Sequence, residues 1–404
     1  MHKNAIFAVL VSALGYFVDV YDLILFSVVR VASLKDLGLT GDDLTSTGIL
    51  LLNIQLAGML IGGVLWGIYG DKKGRLAILF GSILMYSVAN IANAFVTDVW
   101  QYGFCRLLAG LGLAGEIGAG ITLVSEILPK DKRGIGTALV ATMGVAGGLA
   151  AATIGDIFPW KTAYLVGGGM GLALFVMRLS VRESDLFNTM SDHKDVRRGD
   201  LRLLFKPMAR FGRFITCVLV GMPIWFLAAL IITLAPEIGK TLGLAGEVKA
   251  SGAVLWFYGG LIGGDLSSGL LSQFLRSRKK ALYTFIAAAG IFTLAILNLP
   301  AGAGADAYYH LCGVIGFFAG YWAIFLTTSA ESFGTNLRAT VTTSIPNLVR
   351  GGAILLSSAF GLLRDPLGVI PSLTVIGAIT FGAALVSVWL LRETFAVDLD
   401  YVEA

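Results

Sequence analysis

Six ionisable side chains stand inside long apolar runs of this chain: Asp19, Asp22, Arg106, Glu116, Asp265 and Arg350. A charge held away from water is costly unless it is paired, and at membrane depth such a residue marks a route for ions or substrate. At about 1.5 Å per helical residue, Asp22 lies about 12 Å from the end of the first run, near Arg30, and Arg106 about 10 Å from the start of the fourth, near Val99. The two are level. A carboxylate and a guanidinium at one depth neutralise each other. The carboxyl then has two states, ionised beside the guanidinium and protonated when the guanidinium is drawn away. Such a pair can couple proton binding to a conformational change. A static ion pair between helices is the plainer reading of the same residues. Asp19, one turn from Asp22, shares its face. In the second half of the chain, Asp265 and Arg350 lie about 15 and 18 Å into their runs, depths that also permit pairing. Asn347 is one turn from Arg350.

The elements that must hold these groups follow from composition. The chain has 404 residues, 56% hydrophobic and 14% charged, with a mean hydropathy of +0.81. Soluble domains carry about 25% charged residues. The composition excludes a soluble enzyme, a secreted disulfide scaffold and a nucleic-acid binder. The apolar runs are continuous rather than alternating, which excludes a β-barrel. The three cysteines, Cys105, Cys217 and Cys312, form no CxxC pair, and the three histidines are scattered, so neither a metal nor a cofactor is expected.

A spanning helix needs about 20 apolar residues. Twelve runs qualify, at roughly 5–30, 46–69, 76–97, 99–128, 135–155, 160–180, 214–236, 250–275, 281–299, 307–330, 340–362 and 370–391. The expected fold is an all-α membrane protein of twelve transmembrane helices. Its divisions are an N-terminal six-helix half over 1–181, a basic cytoplasmic linker over 182–213 and a C-terminal six-helix half over 214–404. With the N-terminus inside, inner loops and helix ends carry 22 of the 30 Lys and Arg residues and the outer ones six. That asymmetry places both termini in the cytoplasm.

The halves repeat. Glu126 is followed seven residues later by Arg133, and Glu331 by Arg338, at an offset of 205. The segment Gly67-Ile-Tyr-Gly-Asp71-Lys-Lys-Gly74-Arg75 has a degraded copy at Gly269–Lys280. Parallel six-helix repeats are a transporter architecture.

Gly67–Arg75 resembles the GxxxD(R/K)xGR signature of the major facilitator superfamily, and the resemblance covers the whole chain. Arg106-Leu-Leu-Ala-Gly-Leu-Gly-Leu-Ala-Gly-Glu116, with Ser125-Glu126 and Arg133-Gly134, is similar to the metabolite:proton, aromatic-acid and sugar-porter branches. Phe17-Val-Asp19-Val-Tyr21-Asp22 supports this, because those branches place an aromatic–Asp pair there. The Gly-Pro motif of drug antiporters is absent from span 5. The resemblance implies the major facilitator fold, two pseudo-symmetric bundles around a midplane cavity, and alternating access by rocking. It points to Asp22 and Arg106 for proton coupling, with Glu116 and Asp19 beside them. Glu116 matches the glutamate of the symporter pattern; it is read equally as a second proton site, a substrate contact or a carboxyl bonded to a neighbouring helix. Arg350 is the implied contact for an anionic substrate, weakened if Asp265 neutralises it. Tyr21, Trp225, Tyr321, Trp322, Asn347 and Asp265 are candidate cavity residues. Asp71, Arg75, Glu126, Arg133, Glu331 and Arg338, with Gly67 and Gly74 shaping the loop, are expected to form a cytoplasmic ion-pair gate.

The expected function is proton-coupled symport of a small metabolite, such as an organic acid, by a monomer in the plasma membrane. The expected partners are the substrate, protons and lipid, without nucleic acid. The alternatives are an uncoupled facilitator or exchanger and, from another class, a lipid-modifying membrane enzyme. No GxxxxGK[ST], HExxH or HxxxxD motif supports ATP-driven transport or such an enzyme.

Overall fold

The computed structural model describes residues 3–73, 75–116, 133–179 and 208–395. It is all-helical apart from an isolated bridge between Ala245 and Gly304, and it divides into two units, Met1–Arg198 and Gly199–Ala404. The first contains α1 (Lys3–Asp36), α2 (Gly41–Lys73), α3 (Arg75–Asn93), α4 (Val99–Leu113), α5 (Arg133–Ile157) and α6 (Trp160–Arg178). The second contains α7 (Met208–Phe226), a π-turn (Leu227–Ile232), α8 (Ala235–Leu242), α9 (Ala250–Phe274), α10 (Arg278–Leu297), α11 (Ala305–Ala319), α12 (Trp322–Glu331), α13 (Thr335–Leu367) and α14 (Val369–Leu390). Eight of these helices or joined helices are long and apolar enough to cross a membrane, and Ile78–Asn93 and Thr142–Ile157 are shorter apolar helices. With α8 set aside and α11–α12 taken as one broken span, each unit supplies six of the twelve transmembrane segments.

Hydrophobicity does not drive helices together in lipid, so close backbone packing must do so. In the first unit, Cβ atoms at Gly58 and Gly62 of α2 would strike the Leu107 and Leu111 carbonyls of α4, and one at Gly110 would strike the Gln55 carbonyl. In the second, Gly260 and Gly264 of α9 face the Gly313 and Phe317 carbonyls of α11, and Gly316 faces that of Phe257. The α2 and α9 glycines differ by 202 in number and Gly110 and Gly316 by 206, so the sequence repeat is also a repeat of contacts.

Two spans depart from the expected continuous helices. Span 7 starts at Met208 and widens into the π-turn after Pro223. Carbonyls freed by the wider turn find side chains: Thr233 Oγ1 donates to Ala228 O (2.8 Å) and Tyr308 Oη to Ile231 O (2.9 Å). Span 10 breaks at Gly320–Tyr321. Gly320 packs on the backbone at Gly264 and Asp265 with no room for a side chain. The apolar run gives no warning of this break, because glycine passes unnoticed in a hydropathy reading.

Candidate functional site

Helices α1, α3, α4 and α6 carry most of the buried charged and polar groups of the first unit; α2 adds Gln55 and Thr45, and Glu116 follows α4. On α3, Ser82, Tyr86 and Asn90 recur every fourth residue and so share one face. On α1, Asp19 and Asp22 are fully buried, as is Arg106 on α4. The Arg106 guanidinium lies 4.8 Å from the Tyr164 ring centroid and 5.9 Å from that of Phe26. Its Nη2 donates to Asn90 Oδ1 at 2.8 Å. Asp22 is within electrostatic reach of Arg106, Asp19 and Asn90. Yet neither of its oxygens has a hydrogen-bond partner among the described residues. Gly167 of α6 closes over it: a Cβ there would sit 2.5 Å from Asp22 Oδ1. Tyr21 is turned away, donating its hydroxyl to Ala163 O at 2.8 Å. Toward the C-terminal end of α1, Tyr102 bonds Tyr164 (2.7 Å) and Ser33 (3.2 Å), and Trp160 stacks on Tyr102.

Glu116 belongs to a different group. It forms a two-pronged ion pair with Arg178, whose Nη1 reaches Oε1 at 2.7 Å and Nη2 reaches Oε2 at 2.6 Å. Ser82 adds a donor to Oε1 at 2.8 Å, and Arg178 Nη1 also donates to Leu79 O at 2.9 Å. Both side chains are 1% exposed. By sequence, Arg178 counts only as a topology marker at an inner helix end; the structure makes it the partner of Glu116. Asn90 escapes sequence reading as well, because a neutral amide adds nothing to a charge count. Its signal is the four-residue recurrence with Ser82 and Tyr86 in an apolar span.

In the second unit, Arg350 of α13 lies over the Trp225 ring of α7, 5.8 Å from its centroid. Asp265 of α9 does not answer that charge. It faces the start of α12, accepting weakly from Ala323 N at 3.5 Å and interacting with the Trp322 N–H. It thereby caps the helix after the span 10 break, where Tyr321 supplies no side-chain cap. Tyr321 is fully buried and donates to Val220 O at 3.0 Å beside Pro223. Trp322 packs on Phe325, and Asn347 is half-buried on α13. Counting by the 206-residue offset that relates Tyr102 to Tyr308 and Gly110 to Gly316, the counterpart of Arg106 is Cys312, fully buried.

Of the expected gate residues, Gly74 and Glu126 lie outside the described residues, and nothing is described at Gly67, Asp71, Arg75, Arg133 and Arg338 beyond their helical backbone. Glu331 is described. It accepts from Arg278 Nη2 at 3.4 Å and from Thr394 Oγ1 at 2.7 Å. Beside it, Glu393 accepts from Ser277 Oγ and from Arg278 N. Arg213 Nη1 donates to Ser332 O at 2.8 Å.

The sequence model of the Major Facilitator Superfamily matches residues 7–358. The chain belongs to the major facilitator superfamily. It is a transporter of small molecules and not an enzyme. This facilitator is 26% identical over 405 residues to the gentisate transporter of Corynebacterium glutamicum, covering 96% of this chain and 89% of that one. It is 27% identical over 366 residues to the niacin transporter of Acinetobacter baylyi, covering 81% and 80%. Its fold matches that of a D-xylose–proton symporter with a TM-score of 0.75 at 16% identity, covering 97% of this facilitator and 99% of that chain.

Proposed function

We propose that this transporter is a proton-coupled symporter of a small organic acid, with Asp22 as the proton carrier and Arg106 as its counter-charge. The observation that carries the reading is a fully buried carboxyl with no well-formed hydrogen bond, only the weak pull of the Asn90 amide, in reach of a buried guanidinium that is bonded elsewhere. A buried carboxylate ion without a donor is strongly disfavoured, so taking up a proton relieves it. Asp19 is the neighbouring acid that shares the field. The second unit offers no comparable group at the position of Arg106, which favours the first unit as the proton site.

For the substrate, the Arg350–Trp225 arrangement supports a planar anion, since the guanidinium matches a carboxylate and the indole an aromatic face. Tyr21, Tyr321 and Asp265, with polar groups committed to the backbone, act as supports; Trp322 and Asn347 stay candidates for contact. The gentisate and niacin carriers among the relatives favour a small aromatic acid. Transport proceeds by alternating access of a monomer in the plasma membrane, with both termini cytoplasmic. The functional divisions are 1–181, 182–213 and 214–404. Asp71, Arg75, Glu126, Arg133, Glu331 and Arg338 act in gating.

Uptake of labelled gentisate, nicotinate and benzoate into proteoliposomes, with and without an imposed pH gradient, tests the proposal. The wild type should concentrate one of these acids when the gradient is applied. Asp22→Asn, fixed in a neutral form, should keep counterflow exchange and lose accumulation. Accumulation that survives in Asp22→Asn would move the proton site elsewhere; wild-type uptake indifferent to the gradient would make the protein a facilitator or exchanger.

A further inference from the structure

We infer that Asn90 is a third, uncharged member of the coupling group: a positioning residue that holds the Arg106 guanidinium while Asp22 carries its proton and releases it when the proton leaves. The inference rests on Asp22 as proton carrier and adds the residue that decides where Arg106 goes.

Arginine has only donors, so the Asn90 atom that meets Arg106 Nη2 at 2.8 Å must be the carbonyl oxygen. That fixes the amide's orientation. Its NH2 group is then turned away from Arg106, and Nδ2 has no partner among the described residues. Asn90 is at the same time one of the groups that Asp22 feels directly. The amide therefore stands between a cation and a carboxyl, its acceptor bonded to the first and its donor near the second but short of a well-formed hydrogen bond. With Arg106 on Asn90, Asp22 has no well-formed bond to a cation or a donor, only the weaker pull of Arg106 and the Asn90 amide, and Gly167 closes the α6 side. Only the neutral carboxyl suits that arrangement.

Release of the proton reverses the preference. Arg106 gains by moving to the new carboxylate, and the Asn90 NH2 can donate to it. A primary amide serves both states, accepting from a cation in one and donating to an anion in the other. Leucine can do neither, and an ionised aspartate can only accept. The other charged or titratable groups facing Asp22 are Asp19 and Tyr21 on α1, Tyr86 on α3 and Tyr164 on α6. Of these, Tyr21 is committed to Ala163 O and Tyr164 to Tyr102. Asp19 is the group that could substitute for Asp22, so the test includes the Asp22→Asn background.

Opposite substitutions at Asn90 should push coupling in opposite directions. In Asn90→Leu the guanidinium loses its resting place and stays on Asp22, favouring the ionised carboxyl. The pH of half-maximal gradient-driven uptake should fall by about one unit. Asn90→Asp gives Arg106 a permanent carboxylate partner and sets a second negative charge beside Asp22. The half-maximal pH should rise by a similar amount, about one unit. Should Asn90→Leu not fold, Asn90→Ala carries the same expectation with less bulk. In the Asp22→Asn background, both Asn90 variants should leave counterflow unaffected by pH. The measurement is uptake and counterflow of labelled nicotinate or gentisate in proteoliposomes across pH, whichever acid the wild type carries. Unmoved profiles, or shifts in one direction for both variants, would overturn the role of Asn90 while leaving Asp22 in place. Gradient-driven accumulation in Asp22→Asn would instead remove the reading on which it rests.

Discussion

The Glu116–Arg178 pair and the Asp22–Asn90–Arg106 group occupy one helix bundle, both touch α3, and are both sealed from solvent. Their bonding is opposite. Glu116 and Arg178 meet through two parallel hydrogen bonds, with Ser82 and the Leu79 carbonyl taking up further capacity. The Asp22 group joins a guanidinium to an amide by one bond and leaves a carboxyl without a well-formed hydrogen bond. A saturated charge pair has one good arrangement and resists change. An unsaturated one leaves room for a second arrangement, which is what the proposed proton response requires. Burial of a charge is therefore a poor guide to function by itself; the count of satisfied bonds separates the brace from the switch.

Breaking the brace should give the largest effect. Glu116→Gln leaves Arg178 charged, buried and without its counter-ion, at a cost of about 3–5 kcal/mol. Thermal unfolding of the purified protein in detergent should show a large drop in midpoint, partly recovered in Glu116→Gln with Arg178→Met. A drop no larger than that of a surface variant would place Glu116 among the switchable groups. Gly15→Ala should come next. Its Cβ would land on Arg178 Nη2 and within 2.9 Å of Glu116 Oε2. Because the guanidinium is held from two sides, it cannot yield cheaply, and a loss of about 1–3 kcal/mol is expected. Normal stability would mean that the pair has slack.

Glu393, at the end of α14, extends the comparison to a saturated carboxylate with water nearby. Partial burial works against its charge, but hydrogen bonds from Ser277 and the backbone N–H groups of Arg278, Phe395 and Lys279 hold its carboxyl below the ordinary glutamate value of 4.5. The stabilisation is thus complete above about pH 4.5 and is lost as pH falls through the depressed folded-state value. Glu393→Gln should cost about 1 kcal/mol at neutral pH, since hydration weakens the contribution. The melting points of variant and wild type should converge in acid; a constant gap would assign the loss to packing. The smallest change is expected at Asp22→Asn, within about 1 kcal/mol of wild type, because under the proposed function an amide there replaces a protonated carboxyl of similar size. A loss comparable to that of Glu116→Gln would show that Asp22 is ionised and paired at rest.

Much of the fold is legible in the sequence because a bilayer imposes length and polarity on every span. The depths of Asp22 and Arg106 follow from counting residues; counting makes them level, and the structure sets them within electrostatic reach of each other. Counting says nothing about rotation around the helix axis, and rotation decides that Arg106 meets Asn90. Arg178 was hidden by its place at a helix end, where a basic residue ordinarily reports topology. The Glu116 partner could be found only after α6 was set against α3 and the turn that follows α4. Asp265 illustrates the converse: its depth allowed a pairing with Arg350, but the break at Gly320 created a helix start that takes up its oxygen.

The π-turn at Leu227–Ile232 has a consequence for how this span is inherited. A π-turn amounts to one residue more than a regular helix needs, and one helical residue corresponds to about 100° of rotation. Deleting a single residue there would leave a sound α-helix, yet Trp225 would be turned by about a quarter-circle relative to Thr233 and the segment beyond. The span would keep its length, apolar character and ability to insert. What it would lose is aim. Homologues with an uninterrupted helix at this point should therefore align with a one-residue gap, and a lineage that gained or lost that residue would have redirected its indole in a single step.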